Sequence, residues 1–233
     1  MNIGDKFISI EGYEYEVLEI SGGWCIIRYK EYLMNRVPRK KILNGKASLF
    51  LYQGGYVECS DLDEYHKMIE SYAYACWKSI LRRVGKGRYE NVGIHREWLN
   101  YRNFKKFYDQ WYHEGFAIDK DLLSEGDKIY SKETCCFIPK ALNSAIRECN
   151  NREIMDCKEK KRLTFSVTFG WDSMAITCKD EKEYKKLFAL YRCVKVRTLL
   201  SLYQKQIRPE AVDKIIKLYN YTNYGKNTDS STL

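Results

Sequence analysis

Residues 117–143 read AIDKDLLSEGDKIYSKETCCFIPKALN. Short β-forming runs lie on both sides of a polar loop that contains Gly126, and a short helical segment that carries Asn143 follows Pro139. The order predicts a strand, a loop, a strand and a helix. It also places a carboxylate, Asp119, in the first strand and an amide, Asn143, on the helix.

The sixty residues at the start of the chain are rich in short β-forming runs, which Gly12 and Gly22-Gly23 separate. Strands this short predict a small β-barrel-like domain over residues 1–60. A basic group on a turn of this domain contains Arg36, Arg39, Lys40 and Lys41. Such a group either contacts phosphate or protects an edge strand by its charge.

Residues 61–150 are predicted to form a mostly helical domain around the ββα segment. Asp61 and Glu64 form a capping-box pattern at the start of a helix over residues 61–83. A second helix, over residues 97–112, carries an aromatic stripe that indicates a packed core rather than a base-stacking surface.

The last third of the chain is predicted to form a β-hairpin and two helices. The hairpin covers residues 163–178, and the helices cover about 180–205 and 209–221, with Pro209 in the first turn of the second. This gives a third domain at 151–224 and a flexible polar tail at 225–233. The fold class is therefore α+β.

Composition favours a polyanionic partner. The chain has 40 Lys and Arg against 31 Asp and Glu, a formal net charge of +9. It has no run near the ~20 apolar residues that span a bilayer, so no membrane partner is expected. No secretory signal is visible, and none of the nine cysteines forms a CxxC pair, so we expect a cytoplasmic protein with reduced, mostly buried thiols.

Four ordered blocks of the sequence resemble phage-encoded HNH (His-Me finger) endonuclease-like proteins. The first block reads YACWKSILRR at 74–83, and the second reads VGIHREWLNYRNF at 92–104. The third and fourth, IDKD at 118–121 and GDKIYSKETCCFIP at 126–139 with Asn143, resemble the nuclease finger itself. More weakly, residues 163–205 resemble a degenerate ethylene-response-factor-type DNA-binding region.

The resemblance implies a metal site and its catalytic groups. Asp119 and Asn143 match the two ligands of a divalent cation, Mg²⁺ or Mn²⁺. Lys120 stands where the family has its general-base histidine, and Thr134 stands where the family has an asparagine that orients it. Asp121 is an alternative base. A plain alternative is that residues 119–121 form only a salt-bridged β-ribbon.

Basic residues outside the finger are candidate contacts to duplex DNA. They are Arg39, Lys40, Arg82, Arg83, Lys86, Arg88 and Lys105. The three histidines, His66, His95 and His113, lie outside the finger and are interpreted as ordinary surface or core residues.

Three functions follow as expectations. The chain is a metal-dependent nicking or homing endonuclease, or a DNA-binding protein whose nuclease module is degenerate. Alternatively, it is a catalytically inactive phage inhibitor of a host nucleic-acid-targeting defence, of the anti-CRISPR kind, that acts in the bacterial cytoplasm on a host protein or on nucleic acid.

Overall fold

The computed structural model describes residues 1–147, 163–169 and 172–220. The described strands are β1 Lys6–Ile8, β2 Glu14–Ser21, β3 Trp24–Tyr29, β4 Leu33–Pro38, β5 Val57–Glu58, β6 Gly93–Ile94, β7 Phe116–Asp119, β8 Ile129–Tyr130, β9 Cys136–Pro139, β10 Leu163–Phe169 and β11 Asp172–Cys178. The described α-helices are α1 Arg39–Leu43, α2 Leu62–Glu70, α3 Tyr72–Arg83, α4 Tyr101–Trp111, α5 Lys140–Arg147, α6 Glu181–Tyr203 and α7 Pro209–Leu218. The fold is α+β, as predicted.

Contacts divide the chain into two compact units. The first unit consists of Met1–Tyr112 with Ser124–Cys135, and the second consists of His113–Leu123 with Cys136–Leu233. The domain boundaries predicted at residues 60, 150 and 224 stay predictions, and the tail predicted at 225–233 lies outside the described residues. None of the described helices is both long and apolar enough to cross a membrane.

The first unit begins with an open five-stranded sheet. Its strands lie in the order β1-β2-β3-β4-β5, and every neighbouring pair is antiparallel. Within residues 1–147, all of which are described, no pairing between β1 and β5 closes the sheet, so the expected barrel-like closure is wrong. The edge strands explain this, because β1 has three residues and β5 only two, whereas closure needs a continuous ladder around the ring.

Both faces of this sheet are covered. Cys25, Ile26 and Ile27 are consecutive residues of β3, and all three are buried. Since successive side chains of a strand point to opposite faces, burial of all three requires cover on both sides. One face packs in a core with members Tyr15, Val17, Cys25, Ile27, Leu33, Val37, Ile42, Ala47 and Leu49.

The segment predicted as one helix over residues 61–83 is two helices. α2 begins after Asp61, whose Oδ1 accepts the Glu64 amide at 2.8 Å, while the Glu64 carboxylate accepts the Ser60 amide at 2.6 Å. The helix ends at Ser71, which has extended backbone angles and whose Oγ accepts the Tyr74 amide at 3.2 Å. A serine that can cap a new helix therefore separates α2 from α3.

The aromatic stripe lies in the core of the first unit, as predicted: Trp111 is half-buried, and the buried members are Trp98, Tyr101, Phe104, Phe107 and Tyr108. The Trp77 side chain is 0% exposed, and its indole Nε1 donates a hydrogen bond to the carbonyl oxygen of Trp98 at 2.6 Å. The predicted helix at 97–112 is a 3₁₀ turn at residues 96–99 followed by α4. Asn100 separates them, because its side chain caps α4 through the Arg102 amide at 2.9 Å.

The described part of the second unit contains two antiparallel strand pairs. β7 pairs with β9, with Phe116 opposite Pro139 and Asp119 opposite Cys136, and α5 follows β9 directly and packs against both strands. The strand predicted around Lys128–Tyr130 is β8, which pairs in parallel with β6 in the first unit. β10 and β11 form the predicted hairpin, and α6 and α7 are the predicted helices.

Candidate metal and nucleic-acid site

Asp119 is fixed at the end of β7. Its side chain is buried, with the residue only 3% exposed, and Oδ1 accepts the backbone amides of Asp121 at 2.9 Å and Leu122 at 2.8 Å. An aspartate that accepts amides two and three residues ahead turns the backbone sharply after the strand. The carboxylate is therefore held in one orientation by the chain that follows it.

Asn143 carries an unsatisfied acceptor. The residue is 7% exposed, and its amide Oδ1 is buried with no hydrogen-bond donor among the described residues. Leaving such an oxygen buried and unpaired costs free energy, on the order of 1–3 kcal/mol. Asn143 lies on α5, the helix that packs against β7 and β9. The predicted convergence of Asp119 and Asn143 on one cation stays a prediction.

Lys120 is held in an ion pair with its neighbour. The Lys120 side chain is only 10% exposed, and its Nζ donates to Oδ1 of Asp121. This contact occupies the Nζ of the residue that the resemblance places at the position of the general base. The same contact occupies the carboxylate that was the alternative base. Both residues lie in the bend after β7, so the pair joins chain neighbours and is not a cross-strand bridge of the β-ribbon considered as the alternative.

Thr134 stabilises a turn in the first unit. Its Oγ1 donates to the carbonyl of Ile129 at 2.6 Å and accepts the amide of Ser131 at 3.2 Å. The other three residues of the predicted catalytic set lie in the second unit. The hydrogen bonds of Thr134 support a local structural role.

Clusters of metal-binding side chains and reactive thiols would be the other signs of a catalytic site. Among the described ranges, no three or more His, Cys, Asp or Glu side chains cluster as a metal site would require. Burial raises the pKa of the Cys59 thiol to about 12 and that of Cys76 to about 11, so both stay protonated at neutral pH. Asp119 and Asn143 remain the candidate ligands.

The three histidines have ordinary partners. His66 Nε2 contacts Glu19 Oε2 at 2.7 Å, and Nδ1 of His95 accepts the Glu97 amide at 3.4 Å. The His113 ring packs against Phe116 with 5.2 Å between centroids. These contacts agree with their interpretation as structural residues.

Four of the predicted DNA contacts form one feature, which we call the basic loop: Arg82, Arg83, Lys86 and Arg88, at the end of α3 and in the turn after it. The turn requires positive φ at Gly85 (72°) and Gly87 (50°), which glycine adopts without steric cost. The Gly85 amide closes the turn on the carbonyl of Tyr89 at 2.8 Å.

Three cations of the basic loop, Arg82, Lys86 and Arg88, are exposed. Lys86 Nζ lies 5.3 Å from the centre of the Tyr52 ring. Arg83 is half-buried, with its guanidinium 5.5 Å from the ring centres of both Tyr89 and Tyr130. These aromatic contacts hold the chain in place without neutralising its charge.

The remaining predicted contacts differ in how far their charge is available. Lys105 is bound by Asp109, with Nζ 2.5 Å from each carboxylate oxygen, so its charge is already balanced. Arg39 and Lys40 are exposed in the first turn of α1. For these two residues, both predicted roles stay predictions: contact with phosphate, and protection of an edge strand by charge.

The first unit also contains a cleft that the sequence does not predict, which we call the sheet–helix cleft. It has a volume of about 310 Å³ and is lined by residues that include Glu19, Trp24, Arg36, His66, Tyr74 and Lys78. The basic group that contains Arg36 was recognised, but the cross-strand register that places Arg36 opposite Ile26 was not. The contribution of α2 and α3 carries no sequence signal, because it depends on tertiary packing.

Comparisons with protein-family profiles, with curated proteins and with solved structures found no match for this chain.

Proposed function

We propose that this chain binds duplex DNA through the basic loop, and that it carries an HNH-like ββα finger, formed by β7, β9 and α5, whose capacity for cleavage is degenerate. The observation that carries the proposal is that the basic loop presents positive charges that no nearby carboxylate neutralises. Arg82, Lys86 and Arg88 are exposed, and none has an acidic partner within ion-pair distance among the described residues. Unpaired surface cations are the groups that release counterions when they meet phosphate.

The finger supports a binding role more strongly than a catalytic one. Metal-dependent hydrolysis needs a neutral base beside the metal to activate water. The base position holds Lys120, whose Nζ is engaged by the carboxylate of Asp121. Neither residue of the pair is therefore available as an efficient base.

Asp119 and Asn143 suit a divalent cation in donor type. Mg²⁺ and Mn²⁺ prefer oxygen ligands, and these residues offer a buried carboxylate and a buried amide oxygen that lacks a donor. When bound, such a cation would polarise a phosphate oxygen and neutralise charge on it. In the absence of a suitable base, the residues of this chain would hold the phosphate more effectively than they would cleave it.

Substitution of Lys120→His tests whether the finger is a degenerate nuclease site. We expect slow or undetectable nicking of supercoiled plasmid by the parent chain in Mg²⁺ or Mn²⁺. Lys120→His should raise the nicking rate by roughly tenfold or more, because a positioned general base contributes about 10²–10⁴-fold. The measurement is the rate of conversion to open circle over a range of metal concentrations.

Lys120→Gln is the matched control, since it removes the same charge and supplies no base. Equal rates for the His and Gln variants would attribute any gain to the lost charge instead. If all three proteins are folded and inert, and calorimetry shows no Mg²⁺ or Mn²⁺ binding, the nuclease origin of the finger is rejected. Failure of the parent chain to bind DNA as well would favour the inhibitor of a host defence.

Asn143→Leu separates a metal ligand from a structural residue. Leucine has a similar volume and no unsatisfied oxygen, so the variant should be as stable as the parent, or more stable by about 1 kcal/mol, without metal. Added Mn²⁺ should raise the Tm of the parent and leave that of Asn143→Leu unchanged. The measurement is thermal unfolding with and without metal. A metal-independent loss of stability in the variant would instead indicate that the amide is structural.

A further inference from the structure

The sheet–helix cleft combines three types of group in one space. Trp24 and Arg36 come from the sheet, and Tyr74 and Lys78 come from α3. The Trp24 side chain is 44% exposed, which is unusual for the largest apolar side chain. With a volume of about 310 Å³, the cleft is within the range of small-molecule sites.

Two cations face the cleft without a counter-ion. The Arg36 guanidinium lies 5.1 Å from the centre of the Trp24 ring, and Lys78 Nζ lies 5.4 Å from that of Tyr74. In the part of the chain that the structure describes, neither forms an ion pair with a carboxylate. Their charges are close enough to repel, and an anion between them would remove that repulsion.

The titration of Lys78 agrees with this geometry. Partial burial lowers the pKa of Lys78, and the charges of Arg36 and Arg82 lower it further. The side chain is therefore held in a place that disfavours its own charge. A bound anion would reverse this effect.

Two carboxylates also line the cleft and supply hydrogen-bond acceptors. The carboxylate of Glu19 contacts His66 at 2.7 Å, and Glu70 is a further exposed carboxylate in the lining. Carboxylates accept hydrogen bonds from hydroxyl groups, and they repel a ligand that is anionic throughout. An occupant that matches these groups carries an anionic group for the cations, hydroxyl groups for the carboxylates and a flat apolar part for Trp24.

We propose that the sheet–helix cleft binds a nucleoside monophosphate group. Its phosphate contacts Arg36 and Lys78, its sugar hydroxyls donate to Glu19 and Glu70, and its base packs against Trp24. Charge-assisted contacts to phosphate and base–aromatic stacking are the two interactions that bind nucleotides most strongly in such sites. The same group occurs as a free mononucleotide and as the terminal nucleotide of a strand.

Calorimetric titration of the full chain with AMP tests the site. We expect saturable 1:1 binding, with adenosine and inorganic phosphate each binding at least tenfold more weakly, because each lacks one half of the recognised group. 2′-Deoxy-AMP should bind more weakly than AMP, since it offers one hydroxyl fewer to the carboxylates. A 5′-phosphorylated tetranucleotide, compared with the 5′-hydroxyl form, distinguishes a strand end from the free nucleotide.

Lys78→Gln and Arg36→Gln should each weaken AMP binding by roughly tenfold or more, which corresponds to one lost charge-assisted contact. Lys46→Gln is the matched control, because Lys46 is an exposed lysine of the same unit outside the cleft lining, and it should bind AMP as the parent does. Trp24→Phe should remove most of any AMP-dependent change in tryptophan fluorescence.

The proposal is overturned if neither AMP nor the phosphorylated tetranucleotide binds at millimolar concentration. It is equally overturned if folded Lys78→Gln and Arg36→Gln bind AMP as tightly as Lys46→Gln does. Circular dichroism of each variant establishes that it is folded. All of the substituted residues lie outside the basic loop and the finger. The measured affinity for AMP therefore tests the cleft independently of the DNA-binding proposal.

Discussion

A chain carrying Arg82→Gln, Lys86→Gln and Arg88→Gln should bind a short DNA duplex roughly 10²–10³-fold more weakly than the parent near 0.1 M salt. The expected loss follows from counterion release, in which each phosphate contact contributes about 0.9 to the slope of log affinity against log salt. Removing three contacts should therefore flatten that slope by about 2.7. The measurement is fluorescence anisotropy with a labelled duplex from about 50 to 300 mM salt.

The side chains at these three positions are exposed, so their substitution removes charge without opening a cavity in the core. Arg83 is left in place, since its half-buried guanidinium packs on Tyr89 and Tyr130. Substitution of Arg83 would change both the affinity for DNA and the stability of the fold, and the two effects could not be separated.

Lys105→Gln provides the matched control for the loss of a positive charge. Asp109 already neutralises Lys105 at 2.5 Å, so this variant should shift the salt slope by much less than one unit. An unchanged slope in the triple variant would show that the basic loop is only a solvated surface. A shift in Lys105→Gln as large as one third of the triple effect would place the interface on α4 as well.

Trp77→Ala should reduce the free energy of unfolding by about 4 kcal/mol. The indole is completely buried, and deletion of a buried tryptophan costs about 3–5 kcal/mol through lost packing and the cavity left behind. The hydrogen bond to the carbonyl of Trp98 is lost as well. Since whole domains are stable by only about 5–15 kcal/mol, the variant should lie close to unfolding at 37 °C. Urea denaturation followed by circular dichroism measures the difference.

Tyr72→Ala is a control on the same helix. Tyr72 is 56% exposed and contacts Tyr112 with ring centres 5.4 Å apart, so its removal should cost no more than about 1.5 kcal/mol. If the two variants lose equal stability, Trp77 is not a central core residue. Trp77→Phe keeps an aromatic ring but loses the hydrogen-bond donor. Its loss in the free energy of unfolding should lie between those of Trp77→Ala and Tyr72→Ala.

Much of the secondary structure was predictable from local patterns. The Asp61 cap, the helical spacing of the aromatic residues and the position of Pro209 each reflect interactions within a few residues of sequence. The break at Ser71 was missed because apolar spacing continues across it, whereas the serine side chain decides the break. The open sheet was also missed, since strand runs give no information on whether the edges meet.

The candidate site was predictable only as a set of residue types. A sequence pattern identifies Asp119 and Asn143 as oxygen donors, but it cannot show that the Asn143 oxygen is buried without a donor. The ion pair between Lys120 and Asp121 depends on rotamers, which alternation along a strand does not determine. The sheet–helix cleft lay beyond prediction, because its walls are distant in sequence and meet only through tertiary packing.

The path of the chain between the two compact units has a consequence for how such a protein evolves. The chain passes from one unit to the other after residues 112, 123 and 135, so no single junction separates them. A recombination event between residues 94 and 129 would separate β6 from β8, the strand with which it pairs in parallel. Neither unit can then be inherited by simple fusion of an intact gene segment. The two units are expected to pass together through lineages that otherwise exchange domains freely.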